Sequence, residues 1–234
     1  MVTTMRIAAI SDIHGQYVPD LPDDIDIAII AGDCTARDTP AQWRHFALWM
    51  ETLPCAHKIL VAGNHDGMLT ESEGTLSWNS RIMSWMPSVT YLEDSGIEIQ
   101  DIKFWGFPWT PMYCDWNFML EEDEMEKQCQ LIPDDTNVLI SHGPAKRCLD
   151  QVANYRWAGC EKLRDRIYEL NELKVHIFGH IHECGGEYQW WQPPPPAGHI
   201  TNLLWREDDA HRAYNVAHCN RDYVPVNGWR VIEI

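Results

Sequence analysis

Positive charge is scarce in this chain. Eighteen Lys and Arg stand against 35 Asp and Glu, a formal net charge of −17 over 234 residues. A surface that negative repels phosphate backbones and anionic lipid, which argues against long nucleic acids and membranes as partners. No stretch approaches the roughly 18 consecutive apolar residues that a membrane-spanning helix needs. Met1–Arg6 is not a basic segment leading into an apolar run, so no secretory signal is expected. Eight cysteines are scattered with no CxxC pair and no regular spacing. That usage suits a reducing compartment, where a thiol packs as a small hydrophobe, and a cytoplasmic location is expected. No internal repeat stands out. What remains is a globular composition, 45% hydrophobic and 23% charged, able to bury a sizeable core without disulfides.

The first third alternates apolar runs with a helical pattern. Arg6–Asp12, Asp26–Asp33 and Lys58–Asn64 read as strands buried on both faces. Between the last two, Thr39 is an N-cap, Pro40 the first helical residue, and Trp43, Phe46, Ala47 and Met50 form one apolar stripe. This is βαβ rhythm and predicts parallel pairing. Further on, Val89–Asp94 and Ile97–Trp109 read as antiparallel strands about a turn at Asp94–Gly96. A second cycle is expected: helix near Glu121–Leu131, strand Asn137–Gly143, helix Cys160–Leu173, strand Lys174–His182. Tyr188–Gln192 and Trp229–Ile234 look like closing strands. The Pro193–Pro196 run reads as a polyproline II loop or linker, and too few residues follow it for a second domain. One domain over residues 1–234 is expected, with a Trp- and Pro-rich loop insertion around 190–212.

The ends of the apolar strands carry the chemistry. They read SDIHG (Asp12, His14), AGDC (Asp33), AGNHDG (Asn64, His65, Asp66), ISHGP (His142) and FGHIHE (His180, His182). In open α/β folds ligands gather at the carboxyl ends of strands. A lone Asp there is usually a helix cap or turn former, and a lone His usually a satisfied polar residue. Five glycine-flanked ends with such residues are another matter. Imidazole with carboxylate and amide oxygen suits Mn, Fe, Zn, Co or Ni and is too rich in nitrogen for Ca or Mg. Two Asp, one Asn and four His exceed the needs of one ion and suit a pair sharing a carboxylate. If the chain stays extended, Asp12 with His14, and His180 with His182, point the same way.

The set SDIHG…AGD…AGNHD…SHGP…FGHIH resembles the calcineurin-like metallophosphoesterase superfamily across nearly the whole chain. GFPWTPMYCDWNF and KVHIFGHIHECGGEY are similar to the metallophosphoesterase-domain-containing branch, itself similar to bacterial class III cyclic-nucleotide phosphodiesterases. The resemblance implies a mixed α/β fold, a four-layer α/β/β/α sandwich of two mixed sheets flanked by helices. It implies that Asp12, His14 and His182 hold one divalent transition-metal ion, and Asn64, His142 and His180 a second. Manganese is the first choice for both, with Asp33 bridging. His65 would lie beside the substrate phosphate, with Asp66 orienting it or forming an Asx turn. Some relatives in this branch carry Gly where this chain has His180, so the intact GHIH implies a competent enzyme. The implied reaction is hydrolysis of small phosphodiesters, cyclic nucleotides among them, by a hydroxide bridging the two ions. A phosphomonoesterase or nucleotide pyrophosphatase would use the same site, and a non-catalytic scaffold is the alternative outside enzymology.

Other features take blander readings. Trp109 and Trp116 are core residues or walls of the cleft that stack on the substrate. Trp190, Trp191 and Trp205 border the proline run, as a cover for the cleft or as the contact of a homodimer. Glu121–Glu126 reads as a solvated first helical turn. His45, His57 and His176 read as structural, Cys34 and Cys184 as packing residues.

Overall fold

Period-two burial along each strand decides the architecture, because every inner strand buries both faces. The computed structural model describes residues 4–70, 77–190 and 211–234. In chain order the first elements are β1 (Arg6–Ile10), β2 (Ile27–Ala31), α1 (Pro40–Thr52), β3 (His57–Val61), α2 (Trp78–Trp85) and β4 (Val89–Tyr91). Next come β5 (Ser95–Ile99), β6 (Ile102–Phe107), β7 (Thr110–Pro111), β8 (Met119–Leu120) and α3 (Glu122–Cys129). The chain continues with β9 (Val138–Ser141), α4 (Glu161–Glu169), β10 (Val175–Phe178), β11 (Gly186–Trp190), β12 (His211–Asn215) and β13 (Arg230–Glu233). One sheet has the order β13-β1-β2-β3-β4, parallel except for β13. The other has the order β11-β12-β10-β9-β6-β5, parallel in its middle and antiparallel at both edges.

Alternation sorts the strand residues into three apolar layers. Ile7, Ile29 and Ile59 of the first sheet face Phe104, Ile140 and Ile177 of the second. On the outer face of the first sheet, Ile30 and Leu60 pack on Trp43, Phe46, Ala47 and Met50 of α1 and on Ile82 of α2. On the outer face of the second, Leu139 and Phe178 pack on Met125 and Cys129 of α3 and on Leu163 and Ile167 of α4. The result is the expected α/β/β/α order of layers. Helix α1 starts where the sequence places it: Thr39 accepts from Gln42 N–H and Pro40 is the first residue. The acidic first turn of α3 is solvent-exposed as expected.

Three expectations change. Strand β4 does not pair with β5; it runs parallel to β3, and the chain then crosses to the second sheet. The hairpin turn lies instead at Gln100 and Asp101, both left-handed (φ 50° and 64°), a turn without the usual glycine. Helix α2 and strand β12 were not foreseen. Strands β1 and β10 end before their histidines, so the ligand pairs are not extended. Trp191, Trp205 and the Pro193–Pro196 run lie outside the described residues, as does the side chain of Trp190.

His176 on β10 is buried between the second sheet and its helices, with Nε2 2.7 Å from Ser141 Oγ. Ser141 Oγ–H donates to Gly143 O at 2.6 Å, so His176 donates from Nε2 and stays neutral. Burial pushes its pKa down to about 3. The unfolded chain therefore binds a proton near pH 6.5 that the folded chain refuses until about pH 3, and stability is lost as pH falls through that window. Wild type is expected to lose about 1.4 kcal/mol per pH unit more than His176→Gln between pH 6 and 4. Urea unfolding across that range measures it, and equal slopes would overturn the assignment.

Candidate metal centre

The loops after β1, β2, β3, β9 and β10 meet at one edge of the two-sheet sandwich, and their backbones fold back on themselves. Asp12, His14, Asp33 and His180 all have left-handed backbones, with φ of 52°, 46°, 55° and 67°. Asp and His tolerate this region better than most residues, but each such residue still costs of order 1–3 kcal/mol unless its surroundings hold it. Here they do. Asp12 N–H donates to Gly32 O, His14 N–H to Asp33 O and Gly179 N–H to His142 O, at 2.9–3.0 Å. Two glycines are forced by close approach. A Cβ on Gly179 would stand 1.9 Å from Ser11 Oγ, and one on Gly63 2.3 Å from Asp33 Oδ1.

Asp33 is the centre of the cluster. Its Oδ1 lies 3.4 Å from His142 Nε2, and its Oδ2 lies 3.6 Å from His14 Nε2 and 3.8 Å from His65 Nε2. Asp12 Oδ1 is 3.1 Å from His182 Nε2, which is 3.4 Å from His14 Nε2. His142 Nε2 is 3.0 Å from the amide oxygen of Asn64. Three donor groups result, each with its atoms within 4.8 Å of one another: Asp12, His14 and His182; His14, Asp33 and His65; Asp12, Asp33 and His142. His180 belongs to none of them. Its ring centroid lies 5.0 Å from that of His142, and it lines the same cleft.

The hydrogen bonds fix which nitrogens can bind a cation. His142 Nδ1–H donates to Ala31 O at 2.9 Å and His182 Nδ1–H to Asn220 O at 3.0 Å, so each Nε2 keeps a lone pair directed at the carboxylates. With no cation bound, a proton takes that place on His142 Nε2, the proton a metal ion would displace. Burial opposes charge on both Asp33 and His142, yet their mutual attraction prevails. Asp33 is held well below the usual carboxylate range and His142 is pushed up to about 9. Buried carboxylates facing imidazole lone pairs and an amide oxygen, with no thiol among them, fit divalent transition-metal ions.

Around the donors, His65 sits at the mouth, its backbone N–H on Asp33 Oδ1 (2.9 Å) and its ring 4.1 Å from the edge-on Trp116. Asp66 does not hold the His65 ring. Its buried carboxylate accepts from the backbone N–H groups of Gly63, Asp33 and Cys34 at 2.8–3.0 Å, tying the β2 loop to the β3 loop. Burial, and then the charge of Asp33, push its pKa up to about 7. Trp116 lines the cleft; Trp109 does not. The Trp109 indole N–H is taken by Asp94 at 2.7 Å, and its ring packs on Phe118. Three cleft residues were not assigned to the site from the sequence: Tyr113, inside the GFPWTPMYCDWNF segment, and Arg221 and Tyr223, which no motif announces. The last two come from a loop far from any motif, which topology alone brings here.

Asp66→Ala leaves three buried N–H groups without an acceptor and is expected to lower the unfolding free energy by about 3 kcal/mol or more. Denaturant titration checks this, and a loss below about 1 kcal/mol would contradict a tie between the two loops.

Comparison with known proteins agrees with this geometry. The chain is 27% identical over 249 residues to metallophosphoesterase domain-containing protein 1 of Homo sapiens, covering 98% of this chain and 71% of that protein. It is 32% identical over 192 residues to UPF0046 protein K07C11.7 of Caenorhabditis elegans, covering 78% and 65%. The same degree of identity over 184 residues links it to the probable rhamnogalacturonate lyase C of Emericella nidulans, covering 76% of this chain but only 17% of that protein. A solved structure 15% identical, with a TM-score of 0.64 over 91% of this chain and 90% of its own, supports the fold alone. The profile of the calcineurin-like phosphoesterases matches residues 5–184, a span that contains every donor from Asp12 to His182. On that match, the chain belongs to the calcineurin-like phosphoesterase family.

Proposed function

We propose that the protein is a dinuclear metal-dependent phosphodiesterase acting on small diesters, cyclic nucleotides among the candidates, with manganese as the first-choice ion. In this reading Asp12, His14 and His182 hold one ion, Asn64, His142 and His180 the other, and Asp33 is shared. Ions bound there supply positive charge for the phosphoryl oxygens and lower the pKa of bound water. The chain supplies the rest. Asp33 and Asp12 fix the spacing of the donors, and the carbonyls of Ala31 and Asn220 hold the tautomers of His142 and His182. His65 stands at the mouth, where its ring N–H would donate to a phosphoryl oxygen or to the leaving group.

The observation that carries the proposal is the convergence of donors from five loops on one cluster, part of which lines a cleft of about 280 Å³. That volume suits a small ligand. The ring faces of Tyr113, Trp116 and Tyr223 on its walls favour a diester, whose second ester arm they can cover. The −17 charge of the chain is no obstacle, since exposed charges beyond about 8–10 Å are largely screened. All eight thiols are free, in keeping with a cytoplasmic protein.

Metal-stripped protein resupplied with Mn²⁺, Ni²⁺ or Zn²⁺ is expected to cleave an aryl phosphodiester faster than the matched monoester. A monoester preference would replace this reading with a phosphatase. Asn64→Ala and His142→Ala are each expected to cut kcat at least ~100-fold and to lower the bound metal per chain, measured by elemental analysis. Wild-type rates in both variants at saturating metal would overturn the two-ion assignment.

A further inference from the structure

One wall of the cleft comes from outside the segment that the family profile matches. All seven proposed donors lie within residues 5–184, whereas Arg221 and Tyr223 lie beyond it. The loop between β12 and β13 that carries both residues is built around Asn220. Its side-chain oxygen accepts from Asp222 N–H (3.0 Å) and Val224 N–H (3.1 Å), and its own N–H donates to Val224 O at 2.9 Å. Its carbonyl accepts both Tyr223 N–H (2.9 Å) and His182 Nδ1–H (3.0 Å). A single asparagine therefore sets the loop and anchors it to a donor of the metal centre.

The loop is set under strain. Tyr223 has φ of 58°, a left-handed backbone that bulky side chains rarely adopt. Such outliers persist where the surroundings impose them, and they cluster at ligand sites. The ring stands at the metal-ligand cluster, 4.8 Å from the His14 ring and 5.3 Å from that of His182, while the residue stays 47% exposed. Two residues away, Arg221 is the one Lys or Arg among the described residues that line the cleft. Among the described residues it makes no ion pair and no hydrogen bond. Glu183, which also lines the cleft, accepts from Ala153 N–H at 3.3 Å. In a chain with 35 acids and 18 bases, an unpaired guanidinium at a cleft rim is conspicuous.

We infer that this loop selects the substrate: Tyr223 packs against the ester arm that stays on phosphorus, and Arg221 pairs with an anionic group carried by that arm. The inference deepens the phosphodiesterase reading and rests on it, with His65 and Trp116 taking the leaving side. The substrate class it names is a phosphodiester bearing a second negative charge, a carboxylate or another phosphate, beyond the scissile group. A guanidinium suits such a group because its planar fork matches carboxylate and phosphate oxygens in pairs.

The test uses three aryl diesters with one leaving group, 4-nitrophenyl phenyl phosphate and its two analogues with a carboxylate at the 3- or 4-position of the phenyl ring. In the Mn²⁺-loaded protein, kcat/KM is expected to favour a carboxylated diester about tenfold, and Arg221→Gln to abolish that preference. Arg221→Lys is expected to retain part of it. Tyr223→Gly keeps the loop backbone without strain and is expected to raise KM for every one of these diesters. The same preference in wild type and Arg221→Gln, or no preference in wild type, would overturn the inference. Equilibrium titration with phenyl phosphate and the carboxyphenyl phosphates gives a readout free of turnover. If no diester is cleaved but Arg221 still sets a preference in binding, the phosphodiesterase reading fails and the selecting wall stands. Equal affinities for the two kinds of ligand in wild type would overturn the wall itself.

Discussion

A buried carboxylate governs this molecule. Asp33 lies among imidazoles from three other loops, and beneath it the carboxylate of Asp66 gathers the backbone N–H groups of Gly63, Asp33 and Cys34. Two acids this close in a dry interior repel each other, and each endures only because hydrogen bonds or neighbouring positive charge compensate it. The lower acid is satisfied by the chain itself. The upper one is left with its oxygens facing histidines, an arrangement that calls for a cation. Much of the surrounding geometry follows from keeping that pair in place: the left-handed turns at Asp12, His14, Asp33 and His180, and the glycines that let the β2 and β3 loops touch.

The sandwich explains why the loops can be strained at all. Each sheet is locked on both faces, by the other sheet on one side and by helices on the other. Apolar burial on this scale outweighs a few unfavourable backbone conformations at one edge. The site is therefore placed by rigid strands and shaped by short returns, and functional geometry does not depend on long flexible segments among the described residues.

Much of this is legible in the sequence. The strand-end motifs were readable because donor residue types stood beside glycines at five apolar runs, and α1 because its cap, its proline and its buried stripe agree. The cross-over from β4 to β5 was not, since a turn-forming Asp-Ser-Gly is also what a chain uses to change sheets. Gln100 and Asp101 hide a hairpin turn because neither is glycine. Helix α2 and strand β12 are short, and tertiary packing, not periodicity, stabilises them. Trp109 and Trp116 share one aromatic segment, and only the position of Asp94 decides which of the two leaves the cleft. Arg221 and Tyr223 carried no signal at all, because what makes them cleft residues is a contact between Asn220 and His182, 38 positions apart.

The last strands give the chain an unusual coupling. Strand β12 fills the gap between β10 and β11 inside the second sheet, and β13 closes the edge of the first beside β1, so both sheets are completed by the same terminal stretch. The loop joining these two strands is a wall of the cleft. Within a lineage, any change there meets two filters in succession, foldability and then ligand choice. Substrate range in such a protein should drift slowly and by single side chains, with loop length held almost constant, even while helices elsewhere diverge freely.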